Sequence, residues 1–220
     1  MSTIEEVQSY KQQKDELNKQ VATSLPPEIK AVFDHDAENL GRTYPNPLKV
    51  DAGDKAPLFT LPNALGNEIS LENLLKTGKV VMVFYHGEWC PFCNLVLKTY
   101  QNILPQIKAK RANLIAISGQ LPNNSLNTKE KNNLEFEVLS DAHQMVAKQY
   151  TTVFKNGEKE LATMKELGMD FNSFYSDQSG EIPVPAVFII DENGMISYAG
   201  SGGGDYRERI EPEEILKALD

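Results

Sequence analysis

From residue 50 onward, short apolar runs alternate with amphipathic segments, the pattern of a βα protein. Val80–Tyr85 and Ala112–Ser118 are almost continuously apolar and rich in β-branched residues, which predicts central strands buried on both faces. Ala186–Ile190 and Met195–Tyr198 flank Asn193-Gly194, so they read as a hairpin. Phe59–Leu61 and Phe136–Leu139 read as shorter strands. Between them, Ser70 caps a short helix with Leu71, Leu74 and Leu75 on its apolar side. Asn94–Lys110 forms a helix whose stripe, extended back to Phe92, contains Val96, Tyr100, Ile103, Leu104 and Ile107. Asn123–Asn133 is a polar, exposed helix, Ala142–Tyr150 another helix, and Glu211-Pro212 opens a last one with Ile215, Leu216 and Leu219 inward. Residues 155–182 break the rhythm, with one helical stretch at Glu160–Leu167.

Residues 1–49 have a different character and form a helical extension to the α/β domain at 50–220. Residues 1–25 carry an imperfect helical stripe of Ile4, Val7, Tyr10, Leu17 and Val21. A second helix spans about Pro27 to Leu40, with Pro27 in its first turn and Gly41 as its C-terminal cap, before the linker Tyr44-Pro45-Asn46-Pro47. Amphipathicity does not name the partner of this extension. It is either a hairpin packed on its own domain or an arm that pairs two copies into a homodimer.

Composition narrows the function classes. Lys and Arg total 22 against 31 Asp and Glu, a net charge of −9, which argues against nucleic-acid and anionic-membrane partners. The polar start shows no secretory signal and no apolar run approaches a membrane span, so a soluble, cytoplasmic protein is expected. The Gly200–Gly204 stretch lacks a following helix and a Gly-Lys-Ser/Thr signature, so it reads as a flexible loop and not a phosphate cradle.

The chemistry is concentrated in Trp89-Cys90-Pro91-Phe92-Cys93. The chain's two cysteines are both here, between a buried strand and the first turn of a helix. A helix N-terminus favours negative charge, so a thiol there ionises more readily, and the thiolate is the reactive form. A disulfide between them would close too short a loop to act as a staple. One C-x-x-C plus His35, His86 and His143 makes a poor zinc set, because no second C-x-x-C or H-x-x-x-H accompanies it. Inert core cysteines are the remaining bland reading. Strand, C-x-x-C, helix points instead to a thioredoxin-like redox centre that needs no metal or other cofactor. His86 is placed to lower a cysteine pKa if charged, or to bond backbone as a strand-end histidine. Glu88 is either a proton relay or a solvated loop carboxylate, and Trp89 a cover over the dithiol or a packing residue.

Several further segments resemble one family. They are Gly53-Asp54-Lys55-Ala56-Pro57-Leu58-Phe59-Thr60-Leu61, Val83-Phe84-Tyr85, Leu139-Ser140-Asp141, Val184-Pro185-Ala186-Val187-Phe188-Ile189-Ile190-Asp191 and the tail Asp205-Tyr206-Arg207 with Glu211-Pro212-Glu213. In this order, over residues 50–220, they are similar to the peroxiredoxin-like branch of the alkyl hydroperoxide reductase/thiol-specific antioxidant (AhpC/TSA) proteins, in the thioredoxin superfamily. The resemblance implies a thioredoxin-like α/β fold, a central mixed sheet flanked by helices, and reduction of peroxides or disulfides. Members carry Phe-Tyr-Pro-x-x-x-Thr-x-x-Cys at this junction. On Phe84-Tyr85 that motif puts the peroxidatic cysteine at Cys93, the threonine at Cys90 and the proline at His86. The family arginine expected just before Phe188 has no match. Val184-Pro185 stands there, resembling the cis-proline that faces thioredoxin active sites.

Two assignments therefore stay open. In a thiol-dependent peroxidase, Cys93 attacks hydrogen peroxide or an organic hydroperoxide, Cys90 closes the disulfide, and a thioredoxin-type or low-molecular-weight thiol reduces it. In a thiol:disulfide oxidoreductase, Cys90 attacks a protein or small-molecule disulfide and Cys93 resolves the mixed disulfide.

Overall fold

The computed structural model describes residues 7–220, so the expected helical position Ile4 lies outside the described residues. In chain order the helices are α1 (Tyr10–Ser24), α2 (Pro27–Thr43), α3 (Leu71–Leu75), α4 (Pro91–Asn102), α5 (Leu104–Ala109), α6 (Pro122–Lys131), α7 (Ala147–Tyr150), α8 (Glu158–Glu166) and α9 (Pro212–Ala218). The strands are β1 (Thr60–Pro62), β2 (Glu68–Ser70), β3 (Lys79–Phe84), β4 (Ala112–Ser118), β5 (Glu137–Ser140), β6 (Val153–Lys155), β7 (Glu181–Pro183), β8 (Ala186–Ile190) and β9 (Ile196–Gly200).

The central sheet has five strands in the order β5-β4-β3-β8-β9. β4 runs parallel to both β3 and β5, while β8 is antiparallel to β3 and β9. This is the mixed, thioredoxin-like sheet expected from the βα rhythm and the closing hairpin. Period-two alternation along β3 sends Val81 and Val83 to one face and Val80, Met82 and Phe84 to the other. The first face packs on Val96, Leu97 and Tyr100 of α4, Ile107 of α5 and Ile215 of α9. The second packs on Leu71, Leu75, Ala147 and Tyr150. With a layer on each side, β3 has no polar face, which is why its sequence does not alternate.

Several elements differ from the sequence reading, each for a local reason. The single helix expected at Asn94–Lys110 begins earlier, at Pro91, and is broken at Ile103 into α4 and α5. Pro105 has no amide hydrogen to continue α4's ladder and instead sits in the first turn of α5. The helix expected at Ala142–Tyr150 is reduced to a 3-10 turn and α7, because His143 and Gln144 take φ of 60° and 57°. Asp141 accepts hydrogen bonds from the N–H groups of Val146 and Ala147, capping the chain later than the pattern suggests. Gly41 is not a cap but lies inside α2, where a Cβ would meet Asp205 Cβ at 3.2 Å. Its value is the close approach of the C-terminal segment to α2.

α1 and α2 lie against the rest of the same chain. Glu211 accepts hydrogen bonds from the first amides of α1, Tyr10 N at 2.8 Å and Lys11 N at 2.9 Å. A carboxylate from the far end of the chain thus neutralises the positive end of that helix. The Tyr10 hydroxyl donates to the Arg207 carbonyl at 2.8 Å, and Lys14 pairs with Glu208 at 2.6 Å. From α2, the Phe33 carbonyl accepts from the Tyr206 hydroxyl at 2.8 Å, and Asp34 pairs with Arg207 at 3.1 Å. Residues 205–211, with no regular structure of their own, are strapped down from both helices.

Residues 155–182 form a third apolar cluster. Met164, Phe171, Tyr175 and Ile182 pack with Leu40 and Phe154, against Phe33, Trp89 and Tyr206.

Tyr10 is 1% exposed. Tyr10→Ala is expected to cost about 3 kcal/mol or more, as for other large-to-small changes in a core. Tyr10→Phe removes only the bond to Arg207 and is expected to cost about 1 kcal/mol. Urea unfolding checks both, as a lowered midpoint at unchanged slope.

Candidate active site

β3 ends at Phe84, and the chain continues through Tyr85, His86, Gly87, Glu88 and Trp89 before α4 begins. Cys90 is the N-cap of α4, with extended backbone, and Pro91 occupies the first helical position. Cys93 follows within the first turn. Both are free thiols and both are buried, Cys90 2% and Cys93 0% exposed. Their sulfurs lie within 4.8 Å of each other.

The two thiols are not equivalent. Nη2 of Arg209 donates to Cys93 Sγ at 3.5 Å, across 116 residues of sequence. Burial opposes ionisation of Cys93, but the Cys90 thiol, the Arg209 charge and the His86 backbone overcome it and bring the pKa down to about 6. Cys90 moves the other way. Burial and the neighbouring Cys93 push its thiol well above the usual range. Both shifts favour ionisation at Cys93 over Cys90. The N-cap position places Cys90 nearer the helix's free amides, yet a full charge in direct contact outweighs a partial one.

Arg209 is the functional residue that sequence reasoning missed. No arginine precedes the Phe188 strand, but the structure supplies one from residues 205–211. The only signal was the tail Asp205-Tyr206-Arg207 with Glu211-Pro212-Glu213, which the sequence alone ties to no chemistry. Nη1 of Arg209 donates to the Glu208 carbonyl at 2.7 Å, and Nε is buried without a partner. The flanking anchors to Tyr10, Lys14 and Tyr100, whose hydroxyl donates to the Ile210 carbonyl at 2.7 Å, aim the guanidinium inward.

His86 is 1% exposed. Burial and the Arg209 charge hold its pKa well below the ordinary histidine value, and its Nε2 is buried without a partner. It is neutral, so it does not lower a cysteine pKa as an imidazolium. Its ring stacks on Trp89 at 5.7 Å and 22°. Trp89 donates from Nε1 to the Tyr175 hydroxyl at 3.0 Å, while Tyr175 donates to the His86 carbonyl at 3.2 Å. Glu88 is half-buried, and its backbone N–H bonds Gln120 Oε1 at 2.8 Å. Burial raises its carboxyl, tempered by Asn127 and Lys131, a loop environment away from the sulfurs. Pro185 lies beside Arg209 in a small void also lined by Val96 and Tyr100. The expected cis bond is not found, since every peptide bond among the described residues is trans. The segment runs extended from β7 into β8 and is held by Val184 N to the Thr152 carbonyl at 2.7 Å, so the chain makes no reversal there.

His86, Cys90 and Cys93 bring three potential metal ligands within 4.8 Å of one another. The set does not suit a dication, because the Arg209 cation already faces the one thiolate. Beside the cysteines opens a cavity of about 450 Å³. Its walls come from α1, α2, the 155–182 segment and Cys90, and Cys93 is not among the lining residues.

With fold and site described, comparison with known proteins gives a consistent answer. The profile of the AhpC/TSA family matches residues 52–199. Peroxiredoxin Bcp of Escherichia coli is 30% identical over 137 residues, 62% of this chain and 84% of that protein. The chloroplastic peroxiredoxin Q of Oryza sativa subsp. japonica is 28% identical over 175 residues, 78% of this chain and 67% of that one. Among solved structures, peroxidoxin BcpB from Mycobacterium tuberculosis superposes with a TM-score of 0.60 at 22% identity, covering 77% of this chain and 96% of its own. A cysteine-to-serine variant of PrxQ from Xylella fastidiosa gives 0.60 at 15%, covering 77% and 95%. Arg209, α1 and α2 all lie outside the matched span. The chain belongs to the AhpC/TSA family.

Proposed function

We propose that this protein is a thiol-dependent peroxidase in which Cys93 is the peroxidatic cysteine, Cys90 the resolving cysteine and Arg209 the cation that activates the thiolate. The observation that carries the assignment is the guanidinium 3.5 Å from Cys93, with no equivalent at Cys90. The family's matched relatives are named peroxiredoxins.

The Cys93 thiolate attacks one peroxide oxygen and the O–O bond breaks. A proton joins the departing oxygen, giving an alcohol or water, and Cys93 becomes a sulfenic acid. The Cys90 thiol, within 4.8 Å of that sulfur, then displaces hydroxide, which leaves as water with the Cys90 proton. A Cys90–Cys93 disulfide results. Arg209 faces the reacting sulfur, where it stabilises the thiolate and the negative charge that develops on the oxygens. It takes the place of the arginine absent before β8. A thioredoxin-type or low-molecular-weight thiol restores the dithiol. His86, Trp89 and Pro185 position these groups and shield them from water.

The disulfide-exchange reading, with Cys90 as first nucleophile, is disfavoured because its buried thiol is held protonated. No helix among the described residues is long and apolar enough to cross a membrane. A cytoplasmic location, where thiols are kept reduced, belongs to the same reading. So does a homodimer formed through the outer faces of α1 and α2, which light scattering on the purified chain reports.

Cys93→Ser should abolish peroxide consumption. Cys90→Ser should give one turnover and leave a sulfenic acid that dimedone labels at Cys93. Dimedone labelling confined to Cys90 in the unaltered protein would reverse the two roles.

The reactive form is the thiolate, so the rate of oxidation by peroxide should be flat above neutrality and fall as the pH drops through about 6. Arg209→Met should move that midpoint up toward the ordinary thiol value of about 8.5 and slow oxidation at pH 7 about tenfold or more. Part of the loss should return at pH 9. A profile unchanged by the substitution would remove Arg209 from the mechanism.

A further inference from the structure

The two sulfurs meet different surroundings. Cys93 faces Arg209 and does not line the large cavity, whereas Cys90 forms part of its wall. What reacts inside that cavity therefore meets Cys90 and not Cys93. In the oxidised protein this is the better sulfur to attack, because the leaving group is then Cys93, the thiolate of lower pKa, which leaves faster. Arg209 stands ready to receive its charge. The cavity is thus on the reducing side of the cycle.

Its shape and charge limit the reductant. A volume of about 450 Å³ falls within the range of small-molecule sites. Leu17, Val21, Phe33, Met164, Met169 and Ile182 give it a largely apolar lining. Its two cations are already paired, Lys30 with Asp34 and Arg207 with both Asp34 and Asp205. Asp36 and Glu160 add two more carboxylates to the wall. Burial, aided by Glu160, raises Asp36 to about 6, as expected of a carboxylate in poor solvent. An anionic thiol such as glutathione would meet uncompensated negative charge and, among the described residues, no free cation in the wall. A folded protein donor would have to present a whole interface, on the order of 800 Å². Yet Cys90 is only 2% exposed, under helices strapped to the body of the protein.

We propose that this cavity is the reductant site, and that it takes an uncharged, apolar low-molecular-weight dithiol carried on an alkyl chain. The proposal rests on the Cys90–Cys93 disulfide cycle. One thiol of the reductant, as thiolate, attacks Cys90 Sγ. The Cys90–Cys93 bond breaks, a mixed disulfide forms at Cys90, and Cys93 departs as its thiolate. The reductant's second thiol then attacks its own first sulfur, closing a cyclic disulfide. Cys90 leaves and takes up the proton. Two electrons and one proton pass from the dithiol to the protein, and the other proton goes to solvent because Cys93 remains a thiolate. The second thiol must belong to the same molecule, because the enclosed mixed disulfide leaves little room for another.

The test uses the full chain oxidised with diamide, so that it does not depend on peroxide chemistry. Failure of the oxidised protein to form from peroxide would count against the peroxidase assignment alone. Reduction is followed in quenched-flow samples by mass spectrometry of alkylated Cys90 and Cys93, the chain's two cysteines. Dihydrolipoamide should reduce the disulfide at least about tenfold faster than glutathione at equal thiolate concentration, a difference of the size one poorly matched charge produces. It should also outpace a thioredoxin. Val21→Trp, which fills the cavity from α1, should remove most of the dihydrolipoamide advantage. A single-thiol amide of the same chain length should stall as a mixed disulfide, and fragment-ion mass spectrometry should place it on Cys90. That last measurement needs no variant and stands if Val21→Trp fails to fold. An adduct on Cys93, equal rates with glutathione, a faster thioredoxin, or a folded Val21→Trp protein with undiminished dihydrolipoamide rate would each overturn the proposal.

Discussion

The structure depends on one contact, the Arg209 guanidinium against Cys93. A buried cation without a counter-charge is expensive, and so is a buried thiolate. Together they are tolerable, and each explains the other. The contact also accounts for how the two chain ends are used. Arg209 stands in a segment without regular structure, which by itself would not hold a guanidinium at a fixed distance from a sulfur. Glu211, Tyr206, Arg207 and Glu208 tie that segment to α1 and α2. The N-terminal helices thus hold in place the segment that brings a guanidinium to Cys93.

The same arrangement separates two kinds of chemistry on neighbouring atoms. Helix geometry puts Cys90 and Cys93 within bonding reach, but their environments push the acidities apart. Charge gathers around Cys93, while apolar surface gathers around Cys90. Trp89 and neutral His86 lie between the two settings, packed against Phe171, Tyr175 and Tyr206. The 155–182 segment, which interrupts the βα rhythm, supplies Phe171 and Tyr175 of that group and a wall of the cavity. Its role is tertiary: it closes the space that α2 alone leaves open.

Much of the fold was legible before any coordinates. β3, β4 and β8 follow from apolar runs of β-branched residues, and the β8–β9 hairpin from Asn193-Gly194, where Gly194 takes φ of +80°. The dithiol at a helix start followed from Cys90, Pro91 and Cys93. Less legible were features in which one part of the chain overrides another's local preference. Gly41 looked like a helix stop because glycine often is one, yet α2 continues past it to meet Asp205. His143 and Gln144 fit a helical stripe, but Asp141 caps the chain beyond them.

The sequence by itself determined the fold class, the family and the location of the chemistry, because these rest on local information: periodicity, capping, turn residues and the spacing of two cysteines. Tertiary structure alone decided which cysteine faces a guanidinium, that His86 is buried and that Val184–Pro185 is trans. Only the fold could show that an arginine 116 residues from Cys93 lies against its sulfur. Electrostatic energy depends on distance through space and on burial, and neither quantity is set by separation along the chain.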